Sequence, residues 1–221
     1  MRWSPLPPRY TETLLALHTV GEHVLAAARY HAEGRIGLRP LEHGFGTPTF
    51  DGRRVEVLGV DLVVFDGIDE QREPITTLRS AGTFVGIEPG MSPAVYTPAT
   101  PLDLDAGLEV DPDAAAAIAA WFDLVSEALG RFASSHLDES PGLAQLWPEH
   151  FDYALPMGEV IYGGSPGDDQ HREPYLYVGP STPRTGPFWN ESFGASRAAS
   201  TVRSVDDAAA FFDAGRAEAA R

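Results

Sequence analysis

The sequence predicts an α+β fold in which antiparallel sheet is covered by two long amphipathic helices. Two stretches place apolar residues at spacings of three and four, which is typical of helices that bury one face. Several shorter stretches alternate apolar and polar residues, as strands do. The turns between strands are too short for regular parallel crossovers, so we expect antiparallel pairing. The 221 residues form a single domain, or two packed halves, 1–90 and 111–221.

Three helices are predicted from their apolar stripes and their end signals. The first covers 10–30 and ends before Gly34, a residue type that favours the left-handed conformation after a helix. The second covers 112–134, with Asp111 as its N-cap. The third opens at Ser204, whose hydroxyl can accept a first-turn amide. We expect the broad apolar face of the second helix to lie in the core.

Strands are predicted over 35–40, over 54–65 with Gly59 as a bulge or bend, and near 75–78. The segment 90–111 is rich in Pro and acidic residues without periodicity, so we expect a surface excursion that joins the two halves. Each half runs from a helix into antiparallel strands. This order suggests a weak internal duplication.

Composition and charge exclude several classes of function. No stretch is apolar enough to span a bilayer and no signal core is present, so we expect a cytoplasmic protein without a membrane partner. Cysteine is absent, which excludes disulfides and thiolate chemistry. All 16 basic residues are arginine, so lysine chemistry is excluded too. A net charge of -16 argues against a nucleic-acid partner.

Three motifs concentrate the unusual residues on one predicted hairpin: LWPEHFD (146–152), SPGD (165–168) and EPYLYV (173–178). His150 and Asp152 stand two apart on its first strand, so they share a face with Cα atoms roughly 7 Å apart. With Asp168 and Glu173 they form a candidate divalent-metal site of imidazole and carboxylate ligands. Alternatively, Asp168 caps the turn and the remaining groups are structural or solvated.

Aromatic residues beside this hairpin suggest a pocket for a ligand. Tyr175 and Tyr177 alternate with apolar residues and so share one face of the return strand. Trp147 and Trp189 would extend an apolar wall, and Arg172 would position an anionic or polar substrate. Burial in the core is the more common fate of such aromatic residues, and we keep it as the favoured alternative.

A second candidate site lies on the first helix. His18 and Glu22 stand four apart, where an intrahelical hydrogen bond would orient the imidazole as a general base or simply satisfy it. His23 and His31 are predicted to face solvent. The loop 42–46 is glycine-rich without the setting of a phosphate-binding loop, so we expect a flexible or tightly turned rim. In a binding domain, the loop 44–48 would form a docking surface together with the hairpin aromatics.

The chain resembles a family of uncharacterised proteins from high-GC actinobacteria. The resemblance covers nearly the whole chain and rests on these motifs: Leu17-His18, GRIGLR (34–39), GFGTP (44–48), LWPEHFD, SPGD, EPYLYVGP (173–180), FWN (188–190) and FGA (193–195). The resemblance implies no reaction, cofactor or catalytic residue.

Two classes of function remain open at this point. One is a binding or interaction domain for a small molecule or a protein partner, in which the polar cluster fixes the hairpin. The other is a metal-assisted enzyme for a small polar metabolite, with His150 and Asp152, or His18 and Glu22, as catalytic candidates. The first is favoured, because no recognised catalytic constellation is complete. The sequence does not predict an oligomeric state.

Overall fold

The structure is a computed structural model that describes Trp3 and residues 5–221. It confirms the α+β class, since its helices accompany two antiparallel sheets of five strands each. The helices are α1 (Tyr10–Val20), α2 (Ala27–Glu33), α3 (Leu78–Val85), α4 (Pro112–Ser135) and α5 (Val205–Ala219). The first sheet contains β1 (Arg39–Leu41), β2 (Gly44–Gly46), β3 (Arg54–Leu58), β4 (Asp61–Phe65) and β5 (Glu70–Pro74), in that order. The second contains β6 (Gln145–Trp147), β7 (Asp152–Met157), β8 (Val160–Ser165), β9 (Tyr175–Pro180) and β10 (Ala195–Ala198), in the order β10-β9-β8-β7-β6.

Contacts divide the chain into two compact units. The N-terminal unit contains Leu6–Ala120 and Leu146–Phe151, and thus β1 to β5. The C-terminal unit contains Trp121–Gln145 and Asp152–Arg221, together with Trp3 and Pro5, and thus β7 to β10. None of the described helices is long and apolar enough to cross a membrane.

The predicted first helix contains a π-helical segment, Gly21–Ala26, between α1 and α2. All six of its residues are buried, including Glu22 and His23. The prediction that His23 faces solvent is therefore wrong, because the wider π-helical turn changes which side chains point inward. The helix ends at Gly34, which adopts a left-handed φ of 69° as predicted. π-Helical turns are rare and recur at functional sites.

The predicted strand 54–65 is in fact a hairpin, in which β3 and β4 pair along their whole length. Gly59, predicted as a bulge or bend, lies in the turn between β3 and β4 with a φ of 63°. β2 pairs with β3 so closely that a Cβ on Gly44 would lie 1.8 Å from the Val57 carbonyl oxygen. The prediction of an exposed docking loop at 44–48 is wrong, because residues 44–47 are buried and β2 is a central strand.

The strand predicted near 75–78 is also misplaced. The edge strand β5 comes earlier and exposes most of its charged residues, so it shows no apolar alternation. Thr77 instead caps α3, and its hydroxyl accepts the Ser80 amide at 3.1 Å. The segment 90–111 contains neither helix nor strand, as predicted.

Both other helix starts are confirmed. The Asp111 carboxylate accepts the Asp113 and Ala114 amides at 3.1 and 3.0 Å, and α4 begins at Pro112. The Ser204 hydroxyl accepts the Asp207 amide at 3.1 Å at the start of α5. In the C-terminal unit, the Phe132 ring of α4 lies 4.6 Å from the Tyr162 ring of β8 and 5.8 Å from the Phe212 ring of α5. Aromatic packing thus joins both helices to the second sheet.

β8 was not predicted as a separate strand. The predicted hairpin paired a first strand containing 150–155 directly with a return strand that begins at Glu173, whereas β8 lies between β7 and β9 and pairs with both. Gly158 adopts a φ of 58° in the β7–β8 turn. Gly163 and Gly164 interrupt the apolar pattern of β8, which hides it from a periodicity analysis.

Candidate functional site

One face of the second sheet gathers polar and aromatic side chains. Tyr177 of β9 lies opposite Gly163 of β8 and Ser196 of β10, and Tyr175 lies opposite Ser165. Residues directly opposite in neighbouring strands share a face. Leu176 and Val178 therefore point to the other face, where Val178 meets Gly215 of α5. We call the first face the tyrosine face; its members are Asp152, Ser165, Asp168, His171, Tyr175, Tyr177, Glu191, Phe193 and Ser196.

Gly163 makes room for Tyr177 on this face. A Cβ at this glycine would lie 2.7 Å from the Tyr177 ring, so only glycine lets the ring lie against the strand. The Tyr177 hydroxyl donates a hydrogen bond to Asp152, whose residue surface is only 8% exposed. Burial, followed by the nearby Asp152 charge, raises the pKa of Tyr177 well above its ordinary value. The phenol therefore stays protonated and remains the donor.

Asp168 organises the β8–β9 loop. Its carboxylate accepts the Tyr175 hydroxyl at 2.6 Å and the Gln170 and His171 amides at 2.7 Å each. Burial raises the pKa of Asp168, but these hydrogen bonds outweigh it and hold the pKa below its ordinary value. The carboxylate is therefore ionised at neutral pH. The prediction that Asp168 accepts the amides of this turn is confirmed.

His171 lies between two carboxylates. Its Nε2 is 3.0 Å from a Glu191 oxygen, and its buried Nδ1 is 3.6 Å from Asp168 without forming a hydrogen bond. The Ser196 hydroxyl also donates to Glu191, at 2.7 Å, and this hydrogen bond is the main cause that lowers the pKa of Glu191. Among the described residues, no arginine forms an ion pair with Asp168 or Glu191. The tyrosine face is therefore anionic.

Aromatic rings form a cluster beside these carboxylates. The Tyr175, Tyr177 and Phe193 ring centroids lie 6.3 to 6.4 Å from one another, and the His171 ring lies 4.7 Å from Tyr175. Phe193 is 40% exposed, so its ring is accessible from solvent. The face therefore combines aromatic rings with carboxylates that accept hydrogen bonds from two of them.

The four residues of the predicted metal site do not form the expected arrangement. His150 lies in the turn before β7 and not on the strand, because Phe151 adopts a left-handed φ of 51°. The predicted shared strand face of His150 and Asp152 is therefore wrong. Glu173 is exposed and has no hydrogen bond to Asp168. No group of three or more metal-ligating side chains occurs in the part of the chain that the structure describes.

The remaining predicted ligand residues do not share one environment. Tyr175 and Tyr177 share a face as predicted. Arg172 is exposed. Trp189 packs edge-on against Phe188, which stacks on Phe211 of α5. Trp147 is half-buried in β6 and lies in the N-terminal unit.

The sequence did not reveal that Glu191, Phe193 and Ser196 belong to the face. They lie about twenty residues further along the chain than Asp168 and His171, and no periodicity connects them to β9. Asn190 and Gly194 are residue types that favour a tight turn, and such a turn directly precedes β10. This pair is therefore a sequence signal for the turn.

His18 and Glu22 lie close together in the N-terminal unit, but without the predicted hydrogen bond. The His18 Nε2 is 3.8 Å from Glu22 and instead lies 2.7 Å from the Pro148 carbonyl oxygen, to which it donates. The imidazole stacks on Phe151 with a centroid distance of 5.0 Å. Burial lowers the pKa of His18 below 6.5, and it outweighs the Glu22 charge and the Pro148 hydrogen bond, which both raise it.

We expect this shift to make stability depend on pH. A histidine whose folded pKa is depressed stabilises the fold above its unfolded pKa of 6.5, and this contribution is lost as pH falls from there through the folded pKa. Urea unfolding measures the free energy of unfolding at pH 7.5 and at pH 5.5. Between these two pH values, the wild type should lose more stability than His18→Gln. The exposed His31 supplies the control, because His31→Gln should keep the wild-type loss. Equal losses in wild type and His18→Gln would contradict the assignment.

An open cleft of about 890 Å³ lies between α4 and α5, and none of its residues belongs to the tyrosine face. Its lining residues are Glu127, Gly130, Arg131, Ser134, Ser135, Asp206, Ala209, Ala210 and Asp213. Arg131 forms ion pairs there with Glu127 and Asp206. Exposed pairs of this kind stabilise little and mark a solvated surface. The residues of the cleft therefore do not indicate a ligand site.

Comparisons with known protein families, with curated proteins and with solved structures gave no match. The predicted resemblance to the actinobacterial family stays a prediction.

Proposed function

We propose that the protein binds a small organic cation on the tyrosine face. The observation that carries this proposal is the combination of three aromatic rings with ionised carboxylates on one sheet face. An aromatic ring attracts a cation within about 6 Å of its centroid by roughly 0.5–2 kcal/mol, depending on desolvation. The rings of Tyr175, Tyr177 and Phe193 are close enough together for one cation to contact all three.

The hydrogen bonds of the face strengthen this attraction. The hydroxyls of Tyr175 and Tyr177 donate hydrogen bonds to Asp168 and Asp152, and a phenol that donates to a carboxylate has a more electron-rich ring. Because both hydroxyl protons already form hydrogen bonds with carboxylates, neither hydroxyl can donate a hydrogen bond to a neutral polar ligand. The carboxylates add a Coulomb attraction that discriminates between a cation and a neutral molecule of the same shape.

The charge of the whole chain supports the same class of ligand. A net charge of -16 raises the local concentration of cations and repels anions. The earlier suggestion that Arg172 positions an anionic substrate fits this environment less well, because Asp168 and Glu191 lie on the same face. Of the two partners expected for a binding domain, a small molecule or a protein, a small cationic molecule is thus proposed.

The proposal is tested with choline and its neutral isostere 3,3-dimethyl-1-butanol. Amide resonances of Gln170 and His171, which donate to Asp168, should shift with choline at a dissociation constant on the order of 1 mM, or about 4 kcal/mol. The isostere should bind at least fivefold more weakly. Phe193→Leu keeps the apolar volume but removes the ring, so it should weaken choline binding roughly two- to fivefold.

Phe188→Leu is the matched control, because Phe188 packs against α5 and not against the tyrosines. It should leave the choline affinity unchanged. Equal affinity for choline and the isostere would contradict recognition of charge. A Phe193→Leu variant that binds choline like the wild type would contradict the ring contact.

A further inference from the structure

A short apolar region continues the tyrosine face along the second sheet. Gly179 follows Tyr177 by two residues on β9, and Ile161 precedes Gly163 by two residues on β8. Ile161 lies directly opposite Gly179, and on its other side it lies opposite Pro156 of β7. Residues two apart on a strand share a face, as do residues directly opposite in neighbouring strands. We call Pro156, Ile161 and Gly179 the apolar strip.

Ile161 is exposed although it lies on an interior strand of the sheet. The ring of its neighbour Tyr162 packs against Phe132 of α4 and Phe212 of α5, at centroid distances of 4.6 and 6.2 Å. Because successive side chains of a strand alternate, Ile161 points away from these helices. It is 46% exposed, and among the exposed large apolar side chains in the described part of the chain it is the one that lies in a β-strand.

Gly179 leaves an open position beside Ile161. Apart from its chain neighbours, a Cβ at Gly179 would meet no atom nearer than the Phe193 carbonyl oxygen, at 3.7 Å. At Gly163 the corresponding Cβ would lie 2.7 Å from the Tyr177 ring. The same sheet face is therefore filled at Gly163 and open at Gly179. Contiguous apolar surface of this kind indicates an interaction site, whereas single exposed apolar side chains do not.

The apolar strip begins where the ring cluster ends. Phe193 contributes its ring to the cluster and its backbone to the border of the open position at Gly179. The distance from Tyr177 to Gly179 is two strand residues, or roughly 7 Å, which is about the length of a hexyl chain. Beyond it, the β7–β8 turn exposes Gly158 and the charged Glu159. The apolar surface is therefore long enough for a short substituent and too short for a lipid chain.

We infer that the ligand of the tyrosine face is a soluble organic ammonium compound with an apolar substituent of up to about six carbon atoms, which lies on the apolar strip. This inference rests on the proposed function, because the cation bound by Tyr175, Tyr177 and Phe193 sets where the substituent begins. The anionic face selects the charge of the ligand, and the apolar strip selects the rest of the molecule.

The inference is tested with tetramethylammonium and with propyl-, hexyl- and decyltrimethylammonium chloride, each below its micelle concentration. The Gln170 and His171 amides report on the cation, and the Ile161 and Gly179 amides report on the substituent. Full burial of a methylene group strengthens binding roughly fourfold, so partial burial on an open strip should give about twofold. Hexyltrimethylammonium should therefore bind about eightfold more tightly than the propyl compound, and the decyl compound no more than about twofold more tightly than the hexyl compound.

Ile161→Thr tests the apolar strip directly. Threonine keeps the branched Cβ that suits a strand but replaces apolar surface by a hydroxyl. The gain from propyl to hexyl should fall from about eightfold to about twofold in this variant. Val160→Thr is the matched control, because Val160 is the preceding residue of β8 and points to the opposite face. It should keep the wild-type gain.

The outcomes separate this inference from the proposed function. If choline and tetramethylammonium bind but affinity does not rise from propyl to hexyl, the apolar strip is not part of the site and only this inference is overturned. A gain that continues undiminished from hexyl to decyl would contradict a strip of this length. An eightfold gain retained in Ile161→Thr would also overturn the inference. Absence of binding by choline and by the whole series would overturn both proposals.

Discussion

Replacing Glu22 with alanine is expected to lower the free energy of unfolding by about 3 kcal/mol or more. The substitution leaves the Thr100 amide and hydroxyl without their acceptor in a buried site, and the Ala99 amide in a partly buried one. Each buried donor that loses its partner costs roughly 1–3 kcal/mol. Urea denaturation at pH 7.5 measures the change directly.

Glu12 offers the control for this substitution. It lies exposed in the first turn of α1, so Glu12→Ala should change stability by less than about 1 kcal/mol. A double-mutant cycle of Glu22→Ala with Thr100→Val should show coupling, because each change removes the hydrogen bond between the Thr100 hydroxyl and the Glu22 carboxylate. A loss below about 1 kcal/mol for Glu22→Ala would mean that water replaces the carboxylate, and the segment 90–111 would then be anchored by other contacts.

Replacing Phe122 with alanine is expected to cost on the order of 3–5 kcal/mol of stability. Phe122 lies on the core face of α4 and is 0% exposed. Truncating a buried phenylalanine loses its transfer free energy and leaves a cavity. Thermal unfolding should show a clear decrease in Tm. Leu137→Ala is the comparison, because Leu137 follows α4 but is largely exposed, and it should change stability by no more than about 0.5 kcal/mol. An unchanged Tm for Phe122→Ala would show that the core face of α4 is wrongly assigned.

Local signals account for what was predicted correctly. The helix ends at Gly34, Asp111 and Ser204 follow from the conformational and capping preferences of single residues. The shared face of Tyr175 and Tyr177 follows from the two-residue period of a strand. In each case the interacting groups are a few residues apart, so the pattern is visible in the chain itself.

The errors arise where distant contacts override a local pattern. His150 and Asp152 were assigned to one strand, but the left-handed Phe151, whose ring contacts Phe45 and His18, ends the extended geometry between them. β5 was missed because an edge strand needs no apolar face. His23 was assigned to the surface because a regular α-helix was assumed where the chain forms a π-helical turn.

The sequence by itself determined the α+β class, most helix ends, the anionic character of the chain and the Asp168 turn, because these depend on composition, period and neighbouring residues. The tertiary structure alone decided which residues meet. Glu22 accepts hydrogen bonds from Thr100, 78 residues away, and His171 reaches Glu191, 20 residues away. The physical reason is that a buried polar group takes whichever partner folding brings within hydrogen-bonding distance. The spacing of two residues in the sequence does not predict such a contact.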